Sequence, residues 1–422
     1  MRCTATGRNV SENKKEVKFT IDGREKIFNT VYMAKQKVIA LVDCDSFFVS
    51  CEQKRDIRLK NKPVCVLSNP DGCVISRSKE AKQMGVRMGE PYFMAKKEHS
   101  GAIYPVADHE YYSQVSHQVM SVLQDFSPYV QIYSVDEAFV DLTGLERLYK
   151  KNYYELAQML RQRVLDEVDI PVSIGISSSK TLAKLASDKA KNVESHIYQI
   201  NIYDILTELE NTKIEEIWGI GRRLTDRMKK NGIITALELV NKSDEWLDKQ
   251  IGIHGIEMRH ELLGEMTSPV INETTTPKSI QNTRAFGIFT SDFNFIKNEL
   301  NMHIHTSCRK LRRHDTKCLQ VGVMLRTKDF RVFYTKQDLK TPTDFELDIS
   351  KIAIKLLKEI YNPNILYRAT GVILDKIGEQ GTEQLSLYTD TQERQKQLRL
   401  TQCVDKLEQK MGKNIVKIGF MK

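Results

Sequence analysis

The run VIALV, Val38 to Val42, is apolar at every position and ends in Asp43. Such a run reads as a buried strand rather than a half-exposed one, and its end presents an acid. A second acidic feature lies in YSVDEAFVD, Tyr133 to Asp141, where Asp136 and Glu137 stand side by side between β-forming residues. A single Asp-Glu pair is most often a solvated turn. The elements around it decide whether it is more.

After Asp43, SFFVSCEQ begins a helix. PVCVLS and CVISRS form two strand-like runs joined through the turn Asn69-Pro70-Asp71-Gly72, and SKEAKQMGVRMGEP reads as a short helix closed by Gly85. From Tyr112, the residues Val115, Val119, Val122, Leu123 and Phe126 recur at helical spacing until Pro128 stops the helix. The strands VQIY and EAFVDL follow, with the acidic pair at their junction. Then come the amphipathic helix YELAQMLRQRVLDEV, the strand VSIGIS and the helix SSSKTLAKLASDKAKN, capped by Ser178 or Ser179. Strand, helix, two antiparallel strands, helix, strand is the order of a ferredoxin-like split βαβ unit. The segment from about Asp56 to Tyr104 is inserted after its first helix.

At IEEIWGIGRRLTDRMKKNGI the pattern changes to short helices, with Gly219-Ile220-Gly221 as a tight hairpin between them and Gly232 as a C-cap. A second, looser copy spans Ile251 to Gly264. The stretch TSPVINETTTPKS, Thr267 to Ser279, has no periodicity and reads as a linker to a separate α+β unit that runs to about Asp375, before a polar tail. Residues 1–36 form a polar appendage with at most one hairpin, around Asp22-Gly23.

At 422 residues, 41% hydrophobic and 28% charged, the chain has ordinary soluble composition and room for two to four domains. No apolar run approaches the roughly 20 residues that span a bilayer, and the first residues lack a signal peptide's apolar stretch. A cytoplasmic protein without a membrane partner is expected. Eight scattered cysteines with no C-x-x-C pair argue against a zinc site and a disulfide framework, and Cys44 and Cys51 read as core hydrophobes. The net charge of +9 suits a nucleic-acid partner. From Arg309 to Arg331, RKLRRHDTKCLQVGVMLRTKDFR interleaves Arg309, Lys310, Arg312, Arg313, Lys317, Arg326, Lys328 and Arg331 with a strand-like apolar run. That pattern balances evenly between a solvated face and a phosphate-binding surface.

If the strands that carry Asp43 and the Asp136-Glu137 pair are neighbours in one sheet, three carboxylates share a small volume. Acids that close raise each other's pKa, a cost that bound divalent cations remove. Oxygen-only ligation suits Mg²⁺, and two such ions can activate a hydroxyl and stabilise a leaving pyrophosphate, which is the chemistry of nucleotidyl transfer. Ser76, Arg77, Lys82 and Lys191 lie where a triphosphate would need a donor and positive charge, though each alone is an ordinary polar or cationic residue. Phe47 reads as a core aromatic. Phe48 is either another or the wall of the sugar site, its ring excluding a 2′-hydroxyl.

These motifs together are recognisable. LVDCDSFFVSCE, KPVCVLSNPDGCVISRSKEAKQMGVRMGEP, YSVDEAFVDLTG, GISSSKTLAKLASDKAK, IWGIGRR and QLSLY stand in one order along about Val38 to Gly419, and the chain so read resembles the Y-family translesion DNA polymerases, the UmuC-type catalytic subunits of bacterial DNA polymerase V above all. The resemblance implies an α/β, or α+β, multidomain right-hand polymerase: a ferredoxin-like palm at 37–54 and 105–204, small fingers at 55–104, a helix-hairpin-helix thumb at 205–268, a linker at 269–279, an α+β little finger at 280–378 and a tail at 379–422.

It further implies that Asp43, Asp136, Glu137 and the Cys44 main-chain carbonyl bind the two Mg²⁺ ions. Phe47, Phe48, Ser76, Arg77, Lys82 and Lys191 then form the nucleotide site. Phe48 matches the steric gate, with Phe where many members have Tyr. Lys79 and Lys82 stand where many archaeal and eukaryotic relatives carry a Tyr and an Arg on the triphosphate, and only Lys82 is carried over. Gly219, Gly221 and Arg222 of the thumb and Arg309, Arg312, Arg326 and Arg331 of the little finger would hold the DNA backbone without reading its sequence.

The implied activity is error-prone synthesis on damaged templates in SOS-type mutagenesis, from dNTP and primer-template DNA, without a proofreading exonuclease. The implied partners are a sliding clamp, a UmuD-type accessory dimer and a recombinase filament. The clamp segment is Gln384, Leu385, Leu387 and Tyr388. On residue pattern alone these apolar anchors fit pinning the tail slightly better than serving a partner's groove; the resemblance reverses that order. Two rival readings are a nucleotidyl cyclase with a related palm, which needs no thumb to hold a duplex, and a non-catalytic DNA-binding scaffold, which needs no acids.

Overall fold

The computed structural model describes residues 17–21, 24–28, 37–272, 276–379, 399–407 and 410. The chain divides into two compact units, Met1–Glu273 and Thr274–Lys422. At the start of the first, β1 (Val17–Ile21) pairs antiparallel with β2 (Arg24–Phe28).

Along the rest of that unit run β3 (Ile39–Cys44), α1 (Phe47–Arg55), β4 (Cys65–Leu67), β5 (Val74–Arg77), α2 (Lys79–Gln83), α3 (Tyr92–Glu98) and α4 (His109–Phe126). They are followed by β6 (Val130–Ile132), β7 (Glu137–Asp141), α5 (Leu145–Tyr149), α6 (Tyr153–Val168), β8 (Val172–Ser177), α7 (Lys180–Ala190) and β9 (Ile197–Gln199). Five strands form one sheet in the order β6-β7-β3-β8-β9. β3 lies antiparallel to both neighbours, as the split βαβ order requires, and β9 adds parallel to β8. The sequence reading did not anticipate β9, because three residues carry too little periodicity to register.

The alternation along β3 sorts its side chains. Ala40, Val42 and Cys44 enter the core with residues of α4 and α6, whereas Ile39 and Leu41 pack on the opposite face with Phe139 and with Ala183 of α7. By the same period of two, Asp43 belongs to the α7 face. Truncating a fully buried leucine such as Leu41 would cost about 2–5 kcal/mol through lost burial and the cavity left behind. Helix α6 opens on a capping box between Asn152 and Glu155, and α7 on Ser179, whose Oγ accepts the Leu182 N–H.

One glycine sets how close α7 comes to the sheet. Gly175 on β8 stands opposite Leu41 of β3. A Cβ at this position would lie 2.0 Å from the Ser187 nitrogen and 2.3 Å from the Ala183 oxygen. The helix rests on main chain because residue 175 has no side chain, and this close approach brings α7 over the acids.

Between α1 and α4, β4 and β5 form a separate two-stranded sheet, with Val64 bridged to Ile103. Its core is small, made of Cys65, Leu67, Val74, Ala81, Val86 and Ala95. After the main sheet come α8 (Ile205–Glu210), α9 (Arg222–Lys230), α10 (Ala236–Val240), α11 (Asp244–Ile251) and α12 (Ile253–Leu262), packed around Leu209, Met228, Leu239, Leu247 and Leu262. Gly252, at φ 90°, joins α11 to α12, a conformation that favours glycine.

The second unit contains β10 (Ile280–Thr290), α13 (Phe293–Arg313), β11 (Thr316–Thr327), β12 (Val332–Thr343), α14 (Glu346–Ile360), β13 (Tyr367–Asp375) and β14 (Gly378–Glu379). Its sheet runs β10-β13-β11-β12, with β14 paired to β11. Ile296, Leu300 and Ile304 of α13 and Ile349, Ala353 and Leu356 of α14 fill its core, and β12 keeps alternate residues exposed. Among the described residues, no helix is long and apolar enough to cross a membrane.

Candidate active site

Asp43 and Glu137 face each other across the β3–β7 register. Asp136, the residue before β7, accepts the Cys44 N–H on its main-chain oxygen at 2.9 Å, so the ends of the two strands are tied together. The Asp136 side chain accepts a hydrogen bond from the Ser134 hydroxyl. The three acids of the sequence reading therefore converge at one end of one sheet.

Two lysines of the α7 segment meet them. Lys191 Nζ lies 2.7 Å from Asp43 Oδ2, and Lys184 Nζ lies 3.4 Å from the same oxygen while donating to Glu137 Oε1. Asp43 is 6% exposed. Burial alone would raise its carboxyl, but the hydrogen bond with Glu137 and the Lys191 and Lys184 ammonium groups hold it below its ordinary value. Glu137 goes the other way: burial and its hydrogen bond with Asp43 push it up to about 7, against the pull of Lys184. The two carboxylates thus compete for one negative charge and draw cations to themselves. Oxygen donors with this electrostatic demand fit a hard divalent cation.

Lys184 did not emerge from the sequence reading, although a signal existed. Lys184, Asp188 and Lys191 fall at i, i+4 and i+7, one face of one helix. Asp45 was also passed over. Burial raises its carboxyl, while the Ser173 hydroxyl at 2.7 Å and His196 hold it down.

The nucleotide residues divide. Phe47, named with the nucleotide site, is 3% exposed and its ring belongs to the core. Phe48 is half-buried, stacked on Tyr112 at 4.8 Å with His109 edge-on at 5.7 Å. Ser76 is buried and donates to the Ser46 carbonyl at 3.3 Å. Arg77 donates to the Val86 carbonyl beside its own small sheet, so its guanidinium is engaged there. Lys82 is exposed on α2.

Of the backbone-binding candidates, Gly219 has φ 94° and Gly221 is the N-cap of α9, where Arg222 is exposed. Trp218 Nε1 donates to the Tyr133 hydroxyl at 3.2 Å, which ties this hairpin to the loop before the acids. In the second unit Arg309 and Arg312 sit on α13 before β11 begins, whereas Arg326 and Arg331 lie at the far end of β11 and in its turn to β12. Arg312 is already engaged within its own unit. Its guanidinium grips Asp405 through Nε at 2.6 Å and Nη2 at 2.8 Å and is largely buried, so it serves packing. Arg368, which the sequence reading passed over, lies 4.0 Å from the centre of the Phe330 ring.

Residues 42–188 match the impB/mucB/samB family, and residues 277–387 match the C-terminal domain of that family. Protein UmuC of Salmonella typhimurium is 33% identical over 388 residues, which covers 89% of this chain and 92% of UmuC. The chain belongs to the Y family of translesion DNA polymerases. DNA polymerase IV 1 of Halalkalibacterium halodurans is 31% identical to this polymerase, covering 92% of it and 94% of the relative. A solved Y-family chimera of Dbh and Dpo4 superposes with a TM-score of 0.71 at 25% identity, covering 81% of this polymerase and 99% of the chimera. The expected fold class, a multidomain α/β right-hand polymerase, is the one these relatives have.

Proposed function

We propose that this polymerase joins deoxynucleotides to a primer 3′-hydroxyl at Asp43, Asp136 and Glu137, with two Mg²⁺ ions as cofactor. The chain is a DNA-directed DNA polymerase of translesion synthesis, with primer-template DNA and dNTP as substrates. The observation that carries the site assignment is the β3–β7 register that sets Asp43 against Glu137 under Lys184 and Lys191.

When bound, divalent cations would lower the pKa of the primer hydroxyl and stabilise the leaving pyrophosphate. Asp43, Asp136, Glu137 and the Cys44 carbonyl hold that charge in place. Lys191, released from Asp43, meets the triphosphate, with Lys82 as a second cation. Lys184 remains the partner of Glu137 and favours its ionised form. Phe48, fixed by Tyr112, walls the sugar. Gly219, Gly221 and Arg222 offer main-chain N–H groups and charge to a DNA phosphate at the start of α9. Arg309, Arg326 and Arg331 do so in the second unit, and Arg312 is not carried forward. Ser76 and Arg77 act by positioning, since both are engaged by main-chain carbonyls.

In this reading the palm comprises 37–54 and 105–204, the fingers 55–104, the thumb 205–268, and the little finger 280–378. The cyclase and scaffold alternatives are not favoured. Primer extension past an abasic site separates all three: the polymerase reading expects extension by wild type and none by Asp136→Ala, a cyclase would cyclise the nucleotide instead, and a scaffold would only bind.

We assign the chain to the cytoplasm and give it a sliding clamp, a UmuD-type dimer and a recombinase filament as partners. Gln384, Leu385, Leu387 and Tyr388, the clamp segment, lie outside the described residues. Leu385 and Leu387 supply apolar anchors for a groove, Gln384 fixes register, and the Tyr388 hydroxyl must stay wet or find a partner. Gln384→Ala with Leu387→Ala is expected to abolish clamp binding in a titration while clamp-free extension and melting temperature stay near wild type. A double variant that binds the clamp normally, or that melts markedly earlier, would leave the segment a tail anchor.

A further inference from the structure

The fingers carry a cluster of ligating groups that the polymerase reaction does not use. One carboxylate oxygen each of Glu90 and Glu98 and one imidazole nitrogen of His99 all lie within 4.8 Å of one another. Glu90 precedes α3, Glu98 is its last residue and His99 its C-cap. Among the described residues, the side chains of Glu98 and His99 make no hydrogen bond or ion pair.

Glu90 supplies the independent observation. Its side chain is 4% exposed, and while Oε2 accepts the Arg87 N–H at 2.8 Å, Oε1 is buried without a hydrogen-bond partner. A buried carboxylate oxygen left bare is costly, and polar groups so placed are normally satisfied by a partner, a water or an ion. Arg77 forms no ion pair with Glu90 and turns to the Val86 carbonyl. The His99 main chain is meanwhile fixed: its N–H donates to Ala95 at 2.8 Å, and its carbonyl accepts from Tyr104 Oη at 3.0 Å and from Ala102 N–H at 3.1 Å. The imidazole is thereby held at the helix end and left unengaged.

We propose that Glu90, Glu98 and His99 bind a divalent transition-metal ion of the zinc class, which clips the two ends of α3 together. One imidazole and two carboxylates are a borderline donor set, suited to Zn²⁺ ahead of Mg²⁺ or Ca²⁺. Tetrahedral bonds of about 2.0–2.2 Å put ligand atoms about 3.3–3.6 Å apart. The exposed Glu98 side chain can move the required distance. A clip is also what this part of the fold lacks, because six buried apolar residues make a thin core and small cores rely on staples. The scattered cysteines speak against a thiolate zinc site only; a carboxylate–imidazole site leaves no such spacing in the sequence.

The test uses the full chain, stripped with chelator and kept in excess Mg²⁺ so that the oxygen-only catalytic acids are occupied. Zn²⁺ is titrated against a chromophoric chelator, and melting is followed by calorimetry. Wild type is expected to take up a single Zn²⁺ and melt higher with it. His99→Ala and Glu98→Gln, both at partly or fully exposed positions, are expected to weaken uptake at least about tenfold and to lose the melting shift. Asp136→Ala is expected to retain both. Comparing the zinc-free melting temperatures of the two variants with wild type separates lost ligation from lost folding. No zinc uptake by wild type, or undiminished uptake by both variants, overturns the proposal.

Discussion

Single-turnover nucleotide incorporation by Asp136→Ala and by Glu137→Ala is expected to fall about 10³-fold or more, while primer-template affinity stays close to wild type. In the proposed reading the loss falls on the transition state, because these carboxylates would hold the charge that neutralises the primer oxygen and pyrophosphate, whereas the duplex would be held by other residues. Asp43→Ala should behave alike. It removes the nearer acid partner of Lys191, which keeps Asp188, and one of the acid partners of the largely buried Lys184, so local charge compensation is weakened. Melting temperatures must therefore accompany the rates. A variant that folds and retains more than roughly a tenth of wild-type turnover would dissolve the assignment of these acids to the chemistry.

The second large effect concerns the sugar. Phe48→Ala is expected to raise ribonucleotide incorporation relative to deoxyribonucleotide on the order of a hundredfold, since a steric wall acts by excluding one hydroxyl. Phe48 is half-buried and its ring is held by Tyr112 and His109, so the wall is stiff. Shortening it also removes packing, and some loss of stability is expected with the change in selectivity. Phe48→Leu, which keeps more of the wall, should give an intermediate ratio. If both activities fall together and the ratio is unchanged, Phe48 is a core residue like Phe47.

Much of the first unit was legible because its strands are buried on both faces and its helices have one apolar stripe. An uninterrupted run such as VIALV admits few structures, and the acids at the strand ends follow from it. What sequence reading missed lies where partners are distant in the chain. Lys184 looks like any helix-surface lysine until β8 and Gly175 bring α7 onto the sheet, which places its ammonium group on acids 47 and 141 residues away. Arg312 reads as a phosphate ligand until Asp405, 93 residues on, is found against it. Phe47 and Phe48 are adjacent, yet the first turn of α1 sends one ring into the core and leaves the other at its edge. The basic run from Arg309 to Arg331 is continuous in sequence, but β11 separates its two ends by about ten residues of extended chain, roughly 34 Å.

The central claim is that a divalent cation binds between β3 and β7, and iron-directed cleavage tests it most directly. Fe²⁺ in place of Mg²⁺, with ascorbate and peroxide, generates radicals that cut the nearest main chain. Cuts are predicted at Asp43 to Asp45 and at Asp136 to Glu137, suppressed by excess Mg²⁺ and lost in Asp136→Ala, whereas any cut near Glu90 or His99 should survive that substitution. Cleavage confined to other segments, or cuts at the two strand ends that neither Mg²⁺ nor Asp136→Ala diminishes, would contradict the account.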